Sequence, residues 1–124
     1  MKTEVILLGH GSQADEGNTA LAEVACMVAG LDGGTRVIPA FLQFRSPSLT
    51  EAVTGAISAG ATRVVVVPYF LYMGNHVSRD IPEELDALRA GNPGVEIVMT
   101  GHLGAHTKLA EIVVERIKGC GCQS

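Results

Sequence analysis

The stretch Arg63-Val64-Val65-Val66-Val67-Pro68-Tyr69 decides the fold. Four consecutive β-branched residues are stiff at χ1 and favour an extended chain. A run that is apolar at odd and even positions alike has no face for solvent. It reads as a strand buried on both sides, the kind found in parallel sheets. Working outward, residues 4–8, 35–42 and 95–100 give three more strand signals around the one at 63–69.

Between these runs the apolar period changes from two to nearly four. Leu21, Val24, Ala25 and Val28 follow i, i+3, i+4, i+7, and Leu109, Ile112 and Val113 begin the same pattern. Leu49, Val53 and Ile57 recur every four residues, and Ile81, Leu85 and Leu88 mark a third helix. Ser46 or Ser48 is placed to cap the second helix around Pro47. Asp80 before Ile81-Pro82-Glu83-Glu84 reads as the cap of the third, while Gly30, Gly60 and Gly91 stop the first three.

A β-α unit repeated four times predicts an open parallel four-stranded α/β sheet of flavodoxin-like topology, with helices on both faces and right-handed crossovers. The expected organisation is one domain over residues 1–118 and a C-terminal tail over 119–124. In such sheets ligands bind outside the carboxyl ends of the strands.

Composition narrows the function. At 124 residues the chain suffices for one core, and with 47% hydrophobic and 4% aromatic residues that core must be aliphatic. A net charge of -4 offers no basic surface to nucleic acid or an anionic membrane. No apolar run approaches the ~20 residues needed to cross a bilayer. The opening Val5-Ile6-Leu7-Leu8 is too short for a secretory signal, so a cytoplasmic location is expected. Three cysteines argue against a disulfide framework. Cys26 reads as a small core residue, and Cys120-Gly121-Cys122 as an exposed tail rather than a two-thiolate metal hook.

All four histidines fall just after expected strands: His10 after the first, His76 in the loop after the third, His102 and His106 after the fourth. Imidazoles gathered at one edge suit acid–base chemistry near neutral pH or a borderline metal such as Co, Ni, Fe or Zn. No cysteine lies in these loops, which disfavours structural zinc, and no strand ends in an aspartate cluster, which disfavours magnesium. The turn Gly9-His10-Gly11-Ser12 lacks the spacing of a phosphate-binding fingerprint or of a serine nucleophile elbow. His10 and His76 are the leading functional candidates. His102 and His106 could equally cap the last helix, and Arg45 and Arg79 could meet substrate carboxylates.

Gly9-His10-Gly11-Ser12 with Asn18, Ala40-Phe41-Leu42-Gln43-Phe44 with Pro47-Ser48-Leu49, and Val67-Pro68-Tyr69-Phe70-Leu71-Tyr72-Met73-Gly74-Asn75-His76-Val77 with Asp80-Ile81-Pro82 occur in this order. Together with Leu103-Gly104-Ala105-His106 they resemble the CbiX-type sirohydrochlorin chelatases along essentially the whole chain. The resemblance implies a chelatase-like fold and insertion of a divalent metal into a sirohydrochlorin-like tetrapyrrole. Co2+ is the first expectation, with Ni2+ or Fe2+ as alternatives. The metal is a substrate, and no permanently bound cofactor is expected. The resemblance assigns the metal to His10 and His76, with His10 also accepting a proton. It assigns tetrapyrrole contacts to Ser46, Leu71, Tyr72, Met73, Gly74 and Asn75, to which Arg45 is added for its charge. It also implies the short form of the family, in which two identical chains pair as a homodimer. The chain departs from the family pattern at Gln13, Gln43 and Ser46, where Arg, Glu and often Glu are usual. A non-catalytic protein that binds or delivers metal is the rival reading.

Overall fold

The computed structural model describes residues 2–120. Its elements alternate as β1 (Thr3–Gly9), α1 (Asp15–Leu31), β2 (Arg36–Phe41), α2 (Leu49–Ser58), β3 (Arg63–Pro68), α3 (Asn75–Gly91), β4 (Glu96–Met99) and α4 (Thr107–Gly119). The four strands form one parallel sheet in the order β2-β1-β3-β4. This is the α/β class expected from the sequence, with the chain reversing its direction across the sheet after β2. Pro39 is accommodated because β2 is an edge strand, where a missing N–H need not interrupt a ladder on both sides.

The larger core lies on one face. Ile6, Leu8, Ala40, Val64, Val66 and Ile97 point into it from the strands, and α2 and α3 cover them with Leu49, Val53, Ile81 and Leu85. On the other face α1 covers β1 and β2, where Leu7 and Phe41 meet Leu21 and Ala25. The valine run is therefore buried on one side only in a single chain. Val64 and Val66 are fully buried, but Val65 and Val67 are only partly so because no helix lies over them.

Two further expectations are corrected. Cys26 is exposed, because an inward face built on Leu21 and Ala25 turns the next residue about 100° away. Asp80 does not cap α3, which begins at Asn75 with Gly74 as its cap residue and runs through Pro82. Val77, Ile81, Leu85 and Leu88 share one face of that helix, and their burial outweighs the backbone hydrogen bond that Pro82 cannot make. The cap of α2 is Ser48, in a capping box: its Oγ accepts from Glu51 N–H at 3.2 Å, and Ser48 N–H donates to Glu51 Oε1 at 2.8 Å. No helix among the described residues is long and apolar enough to cross a membrane. Cys122 lies outside the described residues; Cys120 is exposed.

Candidate active site at the carboxyl edge of the sheet

His10 stands where β1 leaves the sheet, and its two glycine neighbours are there for different reasons. A Cβ on Gly9 would come within 2.8 Å of Leu21 Cδ2, so glycine there lets the Leu21 side chain of α1 seat closely without shifting. Gly11 has φ +85°, and a side chain on it would collide with the Gln43 carbonyl. The His10 carbonyl accepts from Gln43 N–H at 3.1 Å, which extends the β1–β2 pairing past the end of the strand. The His10 ring rests on Phe70, with centroids 4.3 Å apart and planes inclined by 42°. Phe70 is itself buried and follows β3, so the imidazole is seated on the core of the neighbouring strand.

The turn after His10 is held by side chains rather than by regular structure. Asn18 in the first turns of α1 accepts from Ser12 N–H at 3.1 Å and donates to the Ser12 and Ala14 carbonyls at 2.8 and 3.1 Å. Arg45 donates to the Ser12 and Gln13 carbonyls at 3.0 and 2.7 Å and to Asp15 Oδ1 at 2.8 Å. Its guanidinium thus ties the loop after β2 to the loop after β1. Asn18 and Phe70 are the supporting residues that pattern reading missed as such. Asn18 entered the sequence reading only as part of the family resemblance, and nothing in spacing signals which aromatic ring lies under His10.

His10 lies between two cavities. One, of about 200 Å3, runs back along Gly11, Ser12, Leu21, Phe41 and Tyr69. The other, of about 250 Å3, is bounded by Tyr69, Phe70, Leu71 and Tyr72, with Leu71 and Tyr72 largely exposed at its rim. Of the expected site residues the structure therefore gathers His10, Leu71 and Tyr72. Met73 packs on the main core, and Ser46, Gly74 and Asn75 line neither cavity.

His76 is in the first turn of α3 rather than in a free loop, exposed on the same edge but outside the lining of either cavity. Its Nδ1 lies 3.4 Å from Arg79 Nη2. His106 caps α4, its Nδ1 accepting from Lys108 N–H at 3.0 Å. His102 is exposed. No cluster of three or more His, Cys, Asp or Glu residues able to hold a metal occurs among the described residues.

An open parallel sheet with an aromatic-backed imidazole at its carboxyl edge defines the class: an α/β protein with a candidate ligand site at the switch of strand order. The CbiX family model matches residues 4–120, and the chain belongs to that family. It is 33% identical over 134 residues to the sirohydrochlorin cobaltochelatase of Methanopyrus kandleri, covering 92% of this chain and 94% of that protein. It is 34% identical over 116 residues to the chloroplastic sirohydrochlorin ferrochelatase of Arabidopsis thaliana, covering 94% of this chain and 52% of that protein. Among solved structures, the putative cobalamin biosynthesis CbiX protein of Marinobacter aquaeolei VT8 superposes with a TM-score of 0.82 at 26% identity, covering 98% of this chain and 99% of that one. SirB of Bacillus subtilis with Fe3+ gives a TM-score of 0.86 at 26% identity, covering 98% of this chain. The chain spans about half the length of the Arabidopsis and Bacillus proteins and nearly all of the Methanopyrus and Marinobacter ones.

Proposed function

We propose that this chain is a metal chelatase that inserts a divalent transition metal into sirohydrochlorin or a close tetrapyrrole, in the cytoplasm. The observation that carries the reading is the His10 imidazole, seated on Phe70 at the mouth of an apolar cavity in a chain of the CbiX family. Insertion removes two pyrrole N–H protons and strips water from the ion. A neutral imidazole suits both tasks, since it accepts a proton and ligates borderline metals. His10 and His76 would first present the ion. Once it has passed to the pyrrole nitrogens, the freed His10 imidazole would take one pyrrole proton, and the other would leave to solvent water. Two protein ligands leave the remaining coordination positions to water and then to the pyrrole nitrogens.

The macrocycle would lie across Leu71 and Tyr72, where exposed apolar surface awaits a flat partner, and extend along Met73, Gly74 and Asn75. Its peripheral carboxylates would meet Ser46 and loop N–H groups. Arg45 contributes mainly by holding the His10 turn, since its guanidinium already has three acceptors. A neutral imidazole that ligates through Nε2 carries its proton on Nδ1. Metal binding at His76 therefore requires Arg79 to swing away. Cobalt is the first choice of metal, supported by the cobaltochelatase names of the relatives that this chain spans nearly end to end. A cavity of about 250 Å3 is small for a tetrapyrrole, so the working unit is a homodimer in which a second chain completes the enclosure.

The test mixes the protein with sirohydrochlorin and Co2+, Ni2+ or Fe2+ in turn and follows the absorbance change above the uncatalysed rate. The native chain accelerates insertion of at least one ion. His10→Ala, folded by circular dichroism, loses ~100-fold or more of that rate. Full activity in folded His10→Ala refutes the role of His10. Metal binding with no tetrapyrrole turnover assigns the protein to metal delivery instead.

A further inference from the structure

The chain carries nine lysines and arginines against a net charge of -4, and several of them are already engaged. At the amino edge of the sheet Lys2 and Arg36 pair with the buried Glu4 carboxylate, and Arg63 pairs with Glu96. Arg89 donates to the Ile97 carbonyl and to Asp86. Arg116 and Lys118 lie in the last turn of α4, away from the carboxyl edge. That edge has Arg45, Arg79 and Lys108. Arg45 is engaged by the His10 turn, with acceptors at 2.7, 2.8 and 3.0 Å. Lys108 follows the edge strand β4, two strands from the β1 that carries His10. Arg79 follows β3, the neighbour of β1, and sits one helical turn beyond His76.

The contacts of Arg79 are weak. Its Nη2 lies 3.4 Å from His76 Nδ1, and its Nε lies 3.7 Å from Asp80 Oδ1, with the Arg79 and Asp80 side chains both 64% exposed. Strong charge-assisted bonds run about 2.7–2.9 Å, so the guanidinium fork is open to a better acceptor. A carboxylate is that acceptor, since it takes two parallel N–H bonds at once. An ion held at His76 meets the centre of the macrocycle, whose acidic side chains lie around its rim. A group one turn along α3 from His76, displaced by about 5 Å, faces the rim rather than the centre.

We propose that Arg79 is a latch on His76 that a rim carboxylate of the tetrapyrrole opens. In the free chain Arg79 donates to His76 Nδ1, which keeps the proton of the neutral ring on Nε2, the nitrogen the metal needs. Its charge also repels a divalent ion. The carboxylate draws the guanidinium off Nδ1 and neutralises it, so both obstacles are removed together. Tetrapyrrole binding thus raises the affinity for the ion, and by linkage the ion raises the affinity for the tetrapyrrole. The chain takes up metal when an acceptor is present and holds it weakly otherwise. This inference rests on the reading of His76 as a metal ligand.

The test is made on the full chain. Metal-free sirohydrochlorin, titrated by absorbance, binds Arg79→Gln ~10-fold more weakly than the native chain. Arg79→Lys, which keeps the charge but not the fork, binds it ~3-fold more weakly. The methyl ester of sirohydrochlorin, which has no rim charge, binds the native and Arg79→Gln chains alike. Insertion assays use whichever of Co2+, Ni2+ and Fe2+ is inserted fastest. The half-saturating concentration of that ion falls several-fold in the native chain as sirohydrochlorin is raised to saturation, and does not change in Arg79→Gln. Sirohydrochlorin binding of native strength in Arg79→Gln overturns the inference. An ester that separates the two chains as the free acid does also overturns it, because Arg79 then acts through structure rather than charge. So does a native requirement for the ion that ignores sirohydrochlorin, since Arg79 then binds substrate without acting on His76. His76→Ala, titrated calorimetrically with the ion alone, tests the underlying reading. Unchanged affinity there removes His76 as a ligand, and the latch with it, while the sirohydrochlorin titrations still report Arg79 as a substrate contact.

Discussion

His10 is held in place by its neighbours in the turn and across the β1–β2 edge. Gly11 sits at φ +85° against the Gln43 carbonyl, a conformation that a Cβ strains and a position that a Cβ cannot share. Gly11→Ala is expected to destabilise the protein by ~1–3 kcal/mol in urea titrations and to lower insertion activity beyond what the lost folded fraction explains. If His76 ligates the metal as proposed, Arg79 would work against it, both as a cation beside a divalent ion and as a partner of Nδ1 at 3.4 Å. Arg79→Gln is expected to tighten Co2+ binding a few-fold in calorimetry. The gain is small because both side chains are exposed and the repulsion is screened. Unchanged or weaker binding would show that His76 does not ligate the ion.

At the scale of elements, the helices are terminated and aimed by specific groups. Ser48 and Glu51 exchange hydrogen bonds at the start of α2, which fixes where the loop carrying Arg45 and Ser46 ends. Ser48→Ala is expected to cost about 1 kcal/mol in denaturant unfolding. Helix α3 shows how an element can start earlier than its punctuation suggests. Asp80-Ile81-Pro82 has the composition of a helix start, yet the helix begins at Asn75, because Val77 one turn earlier already belongs to the apolar stripe. That one extra turn carries His76 out of a loop and onto a rigid support. Strand positions were legible to within a residue or two, since period and β-branching are local properties.

For the whole molecule, the proposed homodimer would link stability to association. If the working unit is a pair of chains, unfolding is coupled to dissociation and the melting temperature depends on protein concentration. Raising the concentration 100-fold is expected to stabilise the folded dimer by about 2.7 kcal/mol, read as a rise in Tm by calorimetry. A Tm independent of concentration would indicate a self-sufficient monomer.

The order of elements, the parallel sheet and the choice of its carboxyl edge all follow from apolar period and turn residues, which act between near neighbours in the chain. The candidate histidines were visible because each falls between a strand and the body of the helix that follows it, and the match to the family confirms the class of protein. The seating of His10 on Phe70 depends instead on how two strands 60 residues apart are registered. So does the engagement of Arg45 by the Ser12 and Gln13 carbonyls. Likewise, Val64 through Val67 form one uniform run, but only packing divides them into two buried and two half-covered residues. Burial is a property of what lies above a side chain, and local sequence does not contain that.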